Sequence, residues 1–145
     1  MRVVLDTNIL ISALIIRDGT TDAIVQAWRN RAYMLLTCEQ QIEELRRCFA
    51  RPLLVPARIR RHEAGRLLNH MRRFATFVAG LPAVARSADP YDDYLLALAE
   101  AGRADYLVTG DKAGLLPLRT HRGTGFGAEE RAGAFLDDFL VPTLD

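Results

Sequence analysis

The sequence predicts an α/β protein whose parallel sheet is covered by helices on both faces. Short apolar runs that suit buried strands alternate with longer segments whose apolar residues recur at helical spacing. This alternation indicates a parallel sheet, because each parallel strand needs a long crossover connection that is usually a helix. The 145 residues, half of them apolar, suit one domain with its own core.

The first half of the chain supplies two strands and three helices. A run of β-branched and aliphatic residues suits a buried strand, and the small polar residues after Leu5 end it. Helical spacing and the break at Pro52 set the other limits. The predicted elements are a strand ending at Leu5 or Asp6, helices over residues 9–16 and 23–31, a strand over 33–37 and a helix over 39–49.

The second half is predicted to add three strands and three helices. Asp89 can cap a helix and Pro90 suits the first helical position, so one helix is expected to start there. The Gly-rich residues 123–127 follow no convincing strand-to-helix start and are predicted to form a loop. The elements are a helix over residues 58–79, a weak strand over 83–85, a helix over 89–101, strands over 105–109 and within 118–122, and a helix over 128–140.

Composition limits the location and the partners. No apolar run approaches the ~18 residues that a membrane span needs, and no signal peptide precedes the first strand. We therefore expect a cytoplasmic protein with no membrane partner. Cys38 and Cys48 provide neither a disulfide framework nor a zinc set, so reduced thiols are expected.

Basic residues are concentrated in one segment, although the net charge of the chain is only +1. Nine arginines lie between Arg46 and Arg73, where Glu63 is the single carboxylate. Local asymmetry of this kind favours a polyanion, but a solvated helix face explains it equally well.

Acidic residues follow two predicted strands and open one helix. Asp6 follows the first strand, and Asp111 follows the strand over 105–109. The carboxyl ends of parallel strands meet at one edge of a sheet, where ligands bind in open α/β folds. The helix with Asp92 and Asp93 in its first turn precedes the second of these strands, so its amino end faces the same edge. Taken singly, each acid has another explanation, as a helix cap, a dipole partner or a turn residue.

A further acid lies on the helix over residues 39–49. Glu43 and Glu44 flank its apolar face on opposite sides, and spacing does not decide which of them points inward. A solvated surface glutamate is the alternative reading.

Carboxylates gathered in one pocket repel one another, and a divalent cation supplies the counter-charge that they need. Oxygen ligands without His or Cys select Mg²⁺ or Mn²⁺. None of His62, His70 and His121 has ligand spacing to these acids, and all three are expected at the surface. A carboxylate-held Mg²⁺ suits phosphodiester hydrolysis.

These residues make the sequence similar to the PIN-domain family, in the branch that contains VapC-like ribonucleases, the toxins of prokaryotic toxin–antitoxin systems. The resemblance spans nearly the whole chain, from Met1 to Leu140. The blocks that carry it are Val3-Val4-Leu5-Asp6-Thr7-Asn8, Glu44-Leu45-Arg46, Asp89-Pro90-Tyr91-Asp92-Asp93 with Leu96-Ala97-Leu98-Ala99, and Ala104-Asp105-Tyr106-Leu107-Val108-Thr109-Gly110-Asp111-Lys112.

The resemblance implies a three-layer α/β/α sandwich with a central parallel sheet of four or five strands. It also implies a Mg²⁺- or Mn²⁺-dependent endoribonuclease. The acidic quartet of the family is matched by Asp6, Glu44, Asp92 and Asp111. Asp93 rivals Asp92 as a metal ligand beside Asp6 and Asp111, and Asn8 and Thr109 match the polar supports.

The resemblance also implies RNA as substrate, a cognate antitoxin protein and a homodimer. The apolar surface of the first, second and fourth helices is our candidate for the antitoxin contact. Arg46, Arg58 and Arg61 are the candidates for holding the RNA backbone.

Two departures and three alternatives accompany this interpretation. Ala113 stands where the family often has an acid, so a second metal would be bound less well, and residues 120–130 depart from the usual strand pattern. A DNA structure-specific nuclease of the same fold and a catalytically weak partner-binding module stay open. An aspartate-nucleophile phosphatase would want an acid at Asn8, which argues against it.

Overall fold

A computed structural model describes residues 1–51, 61–85 and 93–109 in full, and the backbone of residues 120–121 and 124–128. Strands and helices alternate through most of this part of the chain. The elements are β1 (Arg2–Leu5), α1 (Thr7–Ile15), α2 (Thr20–Arg29), β2 (Met34–Thr37), α3 (Glu39–Ala50), α4 (Arg61–Phe74), β3 (Thr76–Phe77), α5 (Asp93–Gly102), β4 (Tyr106–Thr109), β5 (Thr120–His121) and β6 (Thr124–Ala128).

The strands form one sheet in the order β3-β2-β1-β4-β6-β5. Neighbouring strands are parallel, except for the antiparallel pair of β5 and β6 at one edge. Strand β1 lies in the middle, where Val4 is opposite Leu36 of β2 and Leu107 of β4. The predicted parallel sheet is confirmed, and β1 is its buried centre.

Helices cover both faces of the sheet, so the fold has the predicted three layers. Val3 and Leu5 pack into a cluster with residues of α1 to α4, whereas Val4 packs into a second cluster with α5. This division follows from the alternation of side chains along a strand. All three residues are fully buried, as expected for a central strand with helices on both sides.

The third strand lies earlier than predicted. Helix α4 ends at Phe74, and Thr76 and Phe77 pair with Leu36 and Thr37 of β2 as strand β3. The predicted helix over 58–79 was therefore too long, and residues 83–85, predicted as a strand, lie outside any helix or strand. Helical spacing of apolar residues continues past Phe74, but the open edge of β2 offers backbone partners that local spacing cannot reveal.

The Gly-rich segment was also wrongly predicted. Residues 124–128 form β6 beside β4, whereas a loop was expected over 123–127. Glycines lack the side chains that reveal period-two alternation, yet their backbone groups pair normally. Strand β5 falls within the predicted range 118–122, but it joins β6 as an antiparallel neighbour.

Other predictions lie partly or wholly beyond the described residues. Ala128, the predicted start of the last helix, ends β6, and the rest of that helix lies outside the described residues. The predicted start of α5 at Asp89 also lies outside the described residues. Among the described helices, none combines the length and apolar character that crossing a membrane requires.

Candidate active site at the carboxyl ends of the strands

Asp6 lies directly after the central strand and is almost fully buried, with 4% of its surface exposed. Its Oδ1 accepts the backbone N–H of Asn8 at 3.1 Å, which caps helix α1. Its Oδ2 accepts the hydroxyl of Thr109 at 2.7 Å. Asp6 can therefore both cap α1 and belong to the candidate site, because each of its two carboxylate oxygens makes one of these contacts.

Thr109 is brought to Asp6 by strand pairing. It ends β4, the neighbour of β1, and its side chain is fully buried. The backbone N–H of Asp6 also donates to the carbonyl of Val108 at 2.9 Å. The pairing of β1 with β4 thus fixes both the backbone and the carboxylate of Asp6.

Helix α3 is anchored at the same edge by a buried amide. Gln41 accepts the Thr37 hydroxyl at 2.6 Å and donates through Nε2 to the Leu5 carbonyl at 2.7 Å. Glu44 lies three residues further on, on the same side of the helix. Gln41 therefore sets the position of Glu44 relative to the end of β1.

The structure gives the two adjacent glutamates, Glu43 and Glu44, different environments. Glu43 is exposed and pairs with Arg46 at 2.7 Å. Glu44 is partly buried and lies close enough to the Tyr94 phenol to affect its pKa. Glu44 is therefore the residue that faces the carboxyl edge.

Tyr94 completes this arrangement from the other face of the sheet. Its hydroxyl is hydrogen-bonded to Thr7 Oγ1 at 2.9 Å in a buried contact. Burial raises the pKa of Tyr94 well above its ordinary value, and hydrogen bonding to Glu44 raises it further. The side chain is thus a neutral phenol at physiological pH. Neither Tyr94 nor Gln41 stands out in the sequence, since periodicity marks both only as positions facing the interior.

A family model described as PIN domain matches residues 2–113. This match covers more than half of the chain and includes β1, α3, α5 and β4, the elements that build the edge around Asp6. The chain belongs to the PIN-domain family. PIN domains are in general nucleases and typically depend on divalent metals. No curated protein and no solved structure gives a significant match.

The PIN domain brings some of the predicted residues together. Asp6, Glu44 and Thr109 converge at the carboxyl edge, while the side chain of Asn8 is exposed and its backbone N–H contacts Asp6. Asp93 is partly exposed at the start of α5. Asp92 and Asp111 lie outside the described residues, as does Arg58.

The predicted basic residues that are described lie on the surface. Arg46 pairs with Glu43, and Arg61 is exposed at the start of α4. Of the histidines, His62 is exposed, whereas His70 is half-buried beside Trp28, so its predicted surface position was only partly right.

The donor atoms at the carboxyl edge of this PIN domain suit a hard cation. Asp6 and Glu44 offer carboxylate oxygens, while His70 packs on Trp28 at the far end of the sheet. Within the described ranges, no three His, Cys, Asp or Glu residues form a group that could hold a metal. Two members of the predicted quartet, Asp92 and Asp111, lie outside those ranges.

Proposed function

We propose that this PIN domain is a Mg²⁺- or Mn²⁺-dependent endoribonuclease and the toxin of a toxin–antitoxin pair. The observation that carries the proposal is the buried carboxylate of Asp6 at the end of the central strand, fixed by Thr109 at 2.7 Å. A buried acid held in one orientation, with a second acid, Glu44, on the helix that is anchored at the same edge, is the arrangement expected of a metal-dependent hydrolase.

Four acids would hold the metal or complete its surroundings. Asp6 and Asp111 would bind it most directly, with Asp92 or its neighbour Asp93 as a further ligand. Glu44, which raises the pKa of Tyr94, would complete the site. When bound, the metal supplies a more acidic water and neutralises the charge that develops on the phosphate.

The protein's own groups orient these acids. The hydroxyl of Thr109 and the backbone N–H of Asn8 hold the two oxygens of Asp6, so its side chain cannot rotate freely. The amide of Gln41 fixes the turn of α3 that carries Glu44. Water and phosphate therefore meet carboxylates whose positions are already set.

RNA is the proposed substrate because the sequence resembles the VapC-like ribonucleases of the PIN-domain family. Arg46, Arg58 and Arg61 are proposed to contact the RNA backbone, since phosphate contacts depend mainly on exposed cations. A cytoplasmic location, a homodimer and silencing by an antitoxin protein belong to the same proposal.

The test compares cleavage of RNA and of single-stranded DNA by the wild type and Asp6→Asn, with Mg²⁺, Mn²⁺ or a chelator. Asn can still cap α1 through its amide oxygen, while its Nδ2 donates to the Thr109 hydroxyl instead of accepting from it, so the variant should fold. We expect it to cleave RNA about 100-fold more slowly or worse. Asp18→Asn, at an exposed aspartate, is the matched control and should retain activity.

Each alternative has its own outcome in this experiment. Equal RNA cleavage by the wild type and Asp6→Asn rejects the assignment of the site. Cleavage of DNA but not RNA favours the DNA nuclease. Absence of both cleavage and Mn²⁺-linked thermal stabilisation indicates a partner-binding module without catalytic competence.

A further inference from the structure

We propose that a cavity at the amino ends of the strands binds a nucleoside monophosphate, with the base against aromatic side chains and the phosphate at two arginines. The cavity has a volume of about 530 Å³, within the range of small-ligand sites. Such a site would be independent of the proposed nuclease site. Asp6 follows the carboxyl end of β1, whereas the cavity is lined by Met34, the first residue of the parallel strand β2.

Aromatic rings form one wall of this cavity. They belong to Trp28, Tyr33, His70 and Phe74. Trp28 and Tyr33 are buried, and His70 lies between Trp28 and Phe74 with its ring centroid 4.8 Å from each of theirs. Phe74 is 56% exposed. The wall is therefore held in place by packing but still offers aromatic surface on which a planar base can stack.

The charged residues that line the cavity are both arginines, Arg29 and Arg31, and no acid of the described residues lines it. The Nε of Arg29 is buried and has no hydrogen-bond partner in the described part of the chain. Arg29 also borders a groove that contains Asp18, Asp22 and Glu63, but it forms an ion pair with none of them. The positive charge at the cavity is thus not offset by these acids, and it favours an anionic ligand.

Arg31 occupies a backbone position that glycine usually takes. Its φ is 64°, and it directly follows Asn30, the C-cap of α2. The N–H of Arg31 donates to the Trp28 carbonyl at 2.8 Å and the N–H of Ala32 to the Ala27 carbonyl at 2.9 Å, which is the Schellman pattern. A side chain is strained in this conformation and glycine is not. Arg31→Gly therefore removes the guanidinium while it relaxes the backbone.

A phosphate monoester suits two guanidinium groups better than a single carboxylate does. It carries nearly two negative charges at neutral pH and three acceptor oxygens, which guanidinium N–H groups bind in pairs. The aromatic wall calls for a planar ring in the same molecule, and a nucleobase supplies it. A nucleoside monophosphate combines both groups at a size that this cavity admits.

The test is calorimetric binding of AMP in EDTA, so that no divalent metal can hold a phosphate at the nuclease site. The wild type should bind AMP with a Kd on the order of 10 µM. Adenosine and ribose 5-phosphate should each bind at least about 10-fold more weakly, because each lacks one of the two recognised groups. Asp6→Asn should keep its AMP affinity within about twofold of wild type, since Asp6 lies at the other end of the sheet.

A pair of arginine variants separates binding from stability. Arg31→Gly should weaken AMP binding at least about 10-fold, with a Tm equal to or above that of wild type. Arg103→Gly is the matched control. Arg103 has a φ of 53° after α5, where the N–H of Ala104 donates to the Ala99 carbonyl at 2.9 Å, and it does not line the cavity. This control should show the same change in Tm and unchanged AMP affinity.

A second pair of variants tests the aromatic wall. Phe74→Ala should weaken AMP binding about fivefold or more, because the base loses stacking surface. Phe77→Ala is the control, since Phe77 is 36% exposed on β3 and does not line the cavity. A 5′-phosphorylated RNA trinucleotide identifies the source of the ligand. Binding as tight as that of AMP indicates an RNA end, weaker binding indicates a free nucleotide, and both support the site.

Several results would overturn the proposal: no AMP binding by the wild type, unchanged affinity in Arg31→Gly, or an equal loss in Arg103→Gly. Loss of AMP binding in Asp6→Asn would also overturn it, because the nucleotide would then occupy the carboxyl end. Binding of a peptide of alternating aspartate and phenylalanine, without binding of AMP, would instead identify a protein-docking surface. None of these outcomes decides the proposed function, which RNA cleavage tests separately.

Discussion

The two ends of the sheet differ in what they bury. At the carboxyl ends of the strands, small polar side chains and acids meet in buried hydrogen bonds around Asp6 and Tyr94. At the amino ends, a cavity of about 530 Å³ is lined mainly by aromatic, sulfur-containing and basic residues. The lining includes Met1, Trp28, Arg29, Arg31, Tyr33, Met34, His70 and Phe74.

This cavity lies away from the candidate chemistry. At the amino end, His70 packs edge-on against Trp28 with ring centroids 4.8 Å apart, and it lies at the same distance from Phe74. These contacts join α2 to α4 and contribute packing. The carboxyl end holds the buried acid, Asp6. The candidate reactive site is therefore assigned from the fixed polar groups around Asp6 and not from this cavity.

The strongest test of the difference between the two ends of the sheet removes Trp28, the central aromatic residue at the amino ends of the strands. Trp28 is 5% exposed within the main core cluster, so Trp28→Ala should cost about 3–5 kcal/mol of unfolding free energy. Denaturant unfolding measures the loss. RNA cleavage per folded molecule should stay within about twofold of wild type, since the carboxyl end keeps its hydrogen bonds.

Thr109→Val is the counterpart at the carboxyl end. It removes the donor to Asp6 Oδ2 and should cost about 1–3 kcal/mol of stability. Its effect on RNA cleavage should be larger, about 10- to 100-fold, because Asp6 loses its orientation. If Trp28→Ala instead proved the more damaging to kcat, the separation of the two ends would be wrong.

A pair of glycine substitutions tests how tightly α5 is packed on the sheet. A Cβ on Gly102 would lie 2.7 Å from Leu36 Cδ1 and 3.2 Å from Val78 Cγ2, and Leu36 is fully buried. Gly102→Ala should therefore destabilise the protein by about 1–3 kcal/mol. Gly65→Ala, where α4 leaves open space, should stabilise it by about 0.5–1 kcal/mol. Thermal unfolding of both variants shows whether each substitution raises or lowers the stability of the protein. A Gly102→Ala variant more stable than wild type would contradict the tight packing of α5 on the sheet.

The smallest expected effect is the pH dependence of stability that His70 causes at the amino ends of the strands. Burial lowers the pKa of His70 below its ordinary 6.5, and Arg29 and Arg73 lower it further. Protonation thus favours the unfolded chain, so this contribution to stability is present above about pH 6.5 and is lost as pH falls through the lowered pKa. His70→Gln should show a shallower loss of unfolding free energy between pH 7 and pH 5. An unchanged slope would show that His70 protonates equally in both states.

Much of the fold could be predicted from local sequence patterns, but some of it could not. The strands ending at Leu5, Thr37 and Thr109 are confirmed because their apolar runs are short and bounded by polar residues. Strands β3 and β6 were missed because Thr76–Phe77 continues a helical pattern and β6 contains glycines at alternate positions. Both depend on the backbone of a neighbouring strand rather than on their own side chains.

The residues of the candidate site also fall into two groups, those that the sequence could indicate and those that needed the structure. Asp6 could be singled out because a polar residue directly after a buried strand is visible in the sequence. The choice between Glu43 and Glu44 needed the structure, since both flank the apolar face of α3. Tyr94 and Gln41 gave no separate signal, because a buried polar side chain looks like a core residue until its partner is known.

By itself the sequence determined the α/β class, the family, the central strand and the acid that follows it. These depend on side-chain type and spacing within a few residues, where periodicity and capping act. Only the tertiary structure decided that Thr109 reaches Asp6 across 103 positions, and that Thr7, Glu44 and Tyr94 meet at one edge. The physical reason is that strand register and helix docking are set by the packing of the whole core, which no short stretch of the chain encodes.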